Sequence, residues 1–174
     1  MSKTIEIDLF KDGSLEQAIE EINKYADEIE RKNNVLRDTI ANRIAEELER
    51  NLASAITSDM AKGGSPPAND TVVSVKTVGN QSVITAEGNQ ILFIEFGSGV
   101  YHNGAVGSSK HPKGAELGMT IGSYGYGNGK KTTWGYYNDG ELLFTHGTPT
   151  QMPFYKAVST VINEIPELAK EVFK

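Results

Sequence analysis

The sequence predicts an α+β fold, in which a twisted antiparallel sheet of about four to five strands is covered by a long N-terminal helix and a kinked C-terminal helix. Three patterns carry that expectation. Apolar residues recur at helical spacing from Leu15 to Ile56, and β-branched and aromatic runs alternate with glycine turns from Thr71 to His146. A second helical stripe then closes the chain from Phe154 to Val172. With 174 residues and 38% hydrophobic content, the chain suits one domain with an ordinary core.

Residues 1–10 form an arm whose segment "TIEIDLF" alternates Ile5, Ile7 and Leu9, a spacing suited to adding a strand to its own sheet or to a neighbour's. Ser14 opens "SLEQ", a capping-box pattern in which the Ser14 hydroxyl and the Gln17 side chain would satisfy free amides at a helix start. The helical region should run from 14 to 60. Leu15, Ile19, Ile22, Ala26, Ile29 and Leu36 are spaced by three, four or seven, and Ile40, Ile44, Leu48, Leu52 and Ile56 follow at intervals of four. Acid-first pairs four apart, such as Glu20 with Lys24 and Glu28 with Lys32, support the helix. A kink or break is expected at "RKNN", Arg31 to Asn34, where two asparagines interrupt the stripe.

"KGGSPP" ends the helical region, because glycine is entropically costly there and proline cannot continue the hydrogen-bond ladder. Residues 71–97 then read as a three-strand meander, "TVVSVKTV", "QSVITAE" and "QILFIEF", with "GN" turns at 79–80 and 88–89. A hairpin is expected over 132–146, because Asp139-Gly140 lies between the apolar runs "TTWGYY" and "ELLFTH". The last helix should cover 153–173, opening on Pro153 and kinking at Pro166.

Residues 98–131 form a glycine-rich insertion with few aliphatic side chains, and such a segment cannot bury a core of its own. Long irregular segments in compact domains are usually binding loops, so function is sought here first. "GYGNGKKT" lacks the glycine five residues before Gly-Lys, where Tyr124 stands, and the following Ser or Thr, where Lys131 stands, so it is not a Walker loop. "FGSGVYH" places His102 where a dinucleotide fingerprint needs its third glycine, and Ser98 lacks the G-x-S-x-G elbow of a hydrolase nucleophile. His102, His111 and His146, with Glu95, could in principle surround a metal, but no metal-binding spacing is present and none is expected. Glu95 is instead read as an anchor that holds the loop by accepting amide hydrogen bonds from its glycines.

Composition narrows the classes further. The absence of cysteine excludes disulfides, a thiolate nucleophile and zinc–sulfur sites, and fits a reducing compartment. No stretch approaches the roughly 18 apolar residues that span a bilayer, and no signal peptide is expected in "MSKTIEIDLF". The net charge is −6, and Ser14 to Met60 holds eleven acidic against six basic side chains, so a counterion-releasing grip on nucleic acid is excluded.

The order of parts resembles a family. "IEIDLFKDGSLEQAIEEI" leading into a long helix, a meander ending in "IEFGSGV", and "PTQMPFYKAV" opening the last helix together look like the tail-component family of long-tailed phages. The glycine-rich insertion with His111-Pro112, followed by Trp134 and the Asp139-Gly140 hairpin, is similar to members from phages of Gram-positive bacteria. Met152 departs from the pattern, since many members carry arginine before Pro-Phe. The resemblance implies a non-enzymatic virion protein without cofactor: a homo-oligomeric ring at the neck, joined to connector or adaptor proteins and to the tail tube or its terminator. DNA would pass through the ring without specific binding. The interface candidates are Ile5, Ile7 and Leu9 of the arm; Glu95, Phe96, Gly97, Ser98, Gly99, Tyr101 and His102 around the turn; Tyr124, Tyr126 and Trp134; and Pro153 and Phe154. Competing readings are a small hydrolase working Glu95 and a histidine under a glycine-rich lid, and a glycan- or protein-binding module displaying loop aromatics.

Overall fold

A computed structural model describes residues 4–5, 7–8, 10–55, 71–97, 110–114, 116–117, 134–138, 140–145, 148 and 150–174. The elements in chain order are α1 (Ser14–Ala53), β1 (Val72–Val78), β2 (Gln81–Glu87), α2 (Ile91–Phe96), β3 (Trp134–Asn138), β4 (Glu141–Thr145) and α3 (Pro153–Phe173). The architecture is α+β, with a long N-terminal helix, a C-terminal helix and small antiparallel ladders.

α1 runs unbroken for 40 residues, about 60 Å at the usual rise, so the break expected at Arg31–Asn34 does not occur. Asn34 accepts a hydrogen bond from Arg37 Nη1 at 2.9 Å, which gives its side chain a partner on the helix surface. The apolar gap is filled by Lys32, whose ammonium lies 5.9 Å from the Phe173 ring centroid at the far end of α3. The capping box is also not formed. Gly13 is the N-cap residue, with φ 80°, and Ser14 Oγ accepts from the Asp8 amide at 2.9 Å, tying the preceding turn to the helix. α1 stops at Ala53, short of the expected Met60, and residues 56–70 lie outside the described residues.

α3 lies antiparallel on the second half of α1. Asn51 Nδ2 donates to the Pro153 carbonyl at 3.2 Å, and Arg43 holds Glu164 through Nε at 2.8 Å and Nη2 at 3.2 Å. Leu48, Leu52 and Ala157 form the fully buried centre of the core. Ile44, Phe154 and the hairpin residues Val73, Ile84 and Ala86 pack around it. β1 and β2 pair from Val72↔Glu87 to Val78↔Gln81, so alternation along each strand sends one face to the helices and the other to solvent. The hairpin tip is held by Asp38 Oδ1, which accepts from Ser82 Oγ at 2.9 Å and Thr77 Oγ1 at 3.3 Å. Arg37 Nε also donates to Asp38 Oδ1 at 3.0 Å, and these bonds, Ser82 first and then Arg37, hold the Asp38 carboxyl below its usual value.

The third strand of the expected meander is instead the short helix α2. Within "ILFIEF", Ile91, Ile94 and Glu95 are buried at helical spacing while Leu92 and Phe93 stay exposed, so period 3.6 prevails over β propensity. Among the described residues the strands form two separate two-stranded ladders, not one sheet of four or five. β3 and β4 pair from Trp134↔Thr145 to Asn138↔Glu141, with Gly140 at φ 85°. α3 continues through Pro166. Ile162, whose carbonyl loses its donor there, lies on the exposed side, where water can satisfy it.

Candidate functional site

α3 starts in a way that its own sequence cannot support. The N-cap residue Met152 has no side-chain acceptor, sits in the left-handed region at φ 58°, ψ 48°, and is followed by Pro153. The free amides of Phe154 and Tyr155, which a serine or aspartate at the cap would normally satisfy, point at a carboxylate from elsewhere. That carboxylate is Glu95. Its Oε2 accepts from Phe154 N at 2.8 Å and its Oε1 from Tyr155 N at 3.1 Å. The negative charge at a helix N-terminus is favoured by the helix dipole, and these are charge-assisted bonds in a buried setting.

Glu95 is placed by α2, and the chain before α3 locks α2 in return. Gln151 N donates to the Ile94 carbonyl at 2.9 Å and Thr150 Oγ1 to the Phe96 carbonyl at 3.0 Å. The C-terminal carbonyls of α2 are thereby satisfied by the same segment whose helix Glu95 caps. Gly97 ends α2 at φ 81°, ψ 163°, a conformation that favours glycine.

The remaining contact brings in the insertion. His111 Nε2 lies 2.8 Å from Glu95 Oε1, and the Lys113 amide donates to His111 Nδ1 at 3.0 Å. An amide donor at Nδ1 requires that nitrogen to be the acceptor, so the ring is the neutral tautomer and Nε2 donates its proton to Glu95. The imidazole is 7% exposed, 4.6 Å from the Phe96 ring and 5.5 Å from Tyr155 by centroids. Glu95 therefore ties three elements to one carboxylate: α2, the His111 turn and α3.

The sequence reading of Glu95 as an anchor named glycine amides as its donors. Among the described residues they are a histidine of the insertion and two helix amides, while most glycines of the insertion lie outside those residues. His111, read as part of an irregular stretch, is a packed member of the site. Its signal was the uncapped start "QMPF", which demands an acceptor from elsewhere, together with a carboxylate inside an apolar run. Of the other candidates, Phe96, Gly97, Pro153 and Phe154 lie in or beside this cluster, while Ile5 and Ile7 lie in the segment before α1. Leu9, Ser98, Gly99, Tyr101, His102, Tyr124 and Tyr126 lie outside the described residues, as does the side chain of Trp134. His146, weighed as a metal ligand, also lies outside them, and so does the "GYGNGKKT" segment. Among the described residues no group of three His, Cys, Asp or Glu side chains is disposed to hold a metal ion.

Chemically the pair is a brace. The Glu95 carboxylate accepts three N–H groups, two of them α3 amides, and both ring nitrogens of His111 are engaged, by Glu95 and the Lys113 amide. No protein-family model, curated protein or solved structure matches the chain.

Proposed function

We propose that this chain is a structural subunit of a tailed phage virion: a ring-forming neck or tail-completion protein at the head-tail junction, made in the bacterial cytoplasm. The observation that carries the reading is the first half of α1. Counted back from Lys32, where α3 ends, roughly 18 residues of α1 extend about 27 Å past the packed core. They carry Leu15, Ile19 and Ile22, each more than half exposed. Although Ser14 and Ala18 of that half are buried, the row of Leu15, Ile19 and Ile22 is left exposed, which suits a part made to be assembled. Ile7 and Phe10, exposed just before it, extend the same surface.

The net charge of −6 supports passage of DNA through a ring without a grip on its phosphates. Glu95 and His111 act in this reading as a brace for the insertion, not as an acid–base pair. The hairpin sheet is extended when the arm of one subunit adds as a third strand to an edge of the β1–β2 hairpin of the next, an edge unpaired among the described residues. The chain carries no catalysis and no cofactor in this reading. Deleting the gene or residues 2–10 should leave filled heads and separate tails, seen by electron microscopy of lysates. Normal infectious particles, or absence of the protein from purified virions, would sink the proposal.

A further inference from the structure

α3 is apolar on two faces. Ala157 and Val161 are fully buried, and Tyr155, Val158 and Ile162 form a second, exposed stripe, with Ile162 56% exposed. The polar residues Lys156, Asn163, Glu167 and Lys170 occupy a separate wedge beside that outer stripe. A helix apolar on both sides is normally buried on both.

The first half of α1 offers a matching surface. Leu15, Ile19, Ile22 and Ala26 lie in one row, Ile19 being 51% exposed, and this row continues the apolar face that α3 and the hairpin cover further along. Beside it runs an acidic row, Glu16, Glu20, Asp27 and Glu30. Glu16 to Glu30 spans 14 positions, as does Lys156 to Lys170, or about 21 Å of helix in each case. Lys156 forms no ion pair among the described residues. Lys170 already pairs with Glu167 at 2.6 Å and Glu20 with Lys24 at 2.6 Å, so the lengths and apolar faces correspond and Lys156 is the charge left to meet Glu16, Asp27 and Glu30.

We infer that the occupant of the outer face of α3 is the N-terminal half of α1 from a second copy of this chain, with Lys156 against the acidic row. The contact joins two different surfaces, so each copy offers one of each and copies add head to tail, closing into a ring if the rotation between them divides a full turn. This rests on reading the chain as an assembly subunit and names the contact between subunits.

The test uses the purified full chain in sedimentation velocity over rising concentration at low salt, with Ile19→Asp and Ile162→Asp variants. Wild type should form species well above the 18.9 kDa monomer. Each variant alone should stay monomeric with unchanged helical circular dichroism, since both sites are exposed. An equimolar mixture of the two should give a species of twice the monomer mass and nothing larger, because each variant retains the surface that the other lacks. A monomeric wild type, association of either variant alone, or a mixture that stays monomeric would overturn the inference. Absence from virions would sink the neck reading without altering these results, so the two can fail separately.

Discussion

Leu48 and Ile19 stand on the same helix, in apolar stripes of nearly the same spacing, yet Leu48 is fully buried and Ile19 is half exposed. The second half of α1 is enclosed by α3 on one side and by the β1–β2 hairpin on the other, whereas the first half extends past both. Periodicity states which face of a helix avoids water. It does not state how much of that face the rest of the chain covers: in the first half Ala18 is buried while Ile19 beside it stays half exposed.

The comparison can be broken most sharply by paired truncations. Leu48→Ala should cost about 3 to 5 kcal/mol of unfolding free energy, because it opens a cavity at the centre of the core. Ile19→Ala should cost less than about 1 kcal/mol in the monomer. Urea titration measures both, and equal losses would mean that the first half of α1 has an intramolecular partner after all.

A smaller effect is expected at the brace. Glu95→Gln replaces one accepting oxygen by an NH2 group and removes the charge at the start of α3, which should cost about 2 kcal/mol. The first turn of α3 should then lose amide-exchange protection before the core does. If Leu48 and the α3 start lost protection together, the brace would be part of one cooperative unit with the core. His111→Ala should reproduce part of the loss while leaving the Phe154 and Tyr155 amides protected.

Arg43→Ala removes the two hydrogen bonds to Glu164 that pin α3 on the enclosed half of α1. Both side chains are partly exposed, so the expected loss is about 1 kcal/mol or less, reduced further by salt. The smallest change concerns pH. Asp38 is held below the usual aspartate value of 3.8, chiefly by Ser82, so its contribution is present above that value and is lost as pH falls through its lower folded value. Acid should therefore loosen the hairpin tip first, and amide exchange at Val78 to Ser82 should speed up while Leu48 stays protected. Asp38→Asn should remove most of that pH dependence, and an unchanged acid response in the variant would place its cause elsewhere.

The amino-acid sequence by itself determined the α+β class, the two amphipathic helices and the Asp139-Gly140 hairpin, because each depends on spacing or on a local backbone preference. It misjudged α2, since a six-residue apolar run satisfies strand propensity and helical burial alike, and only its neighbours select between them. It placed a break at Arg31–Asn34 that Phe173 and Arg37 remove by supplying the missing contacts. It grouped Glu95 with His111 only as a possible metal cluster and did not foresee the bonds that Glu95 accepts from His111 and from the amides of Phe154 and Tyr155. Tertiary structure alone decided those pairings and which half of α1 is core, because a buried acceptor and an apolar stripe are fixed by whatever packs against them, and that partner lies far away along the chain.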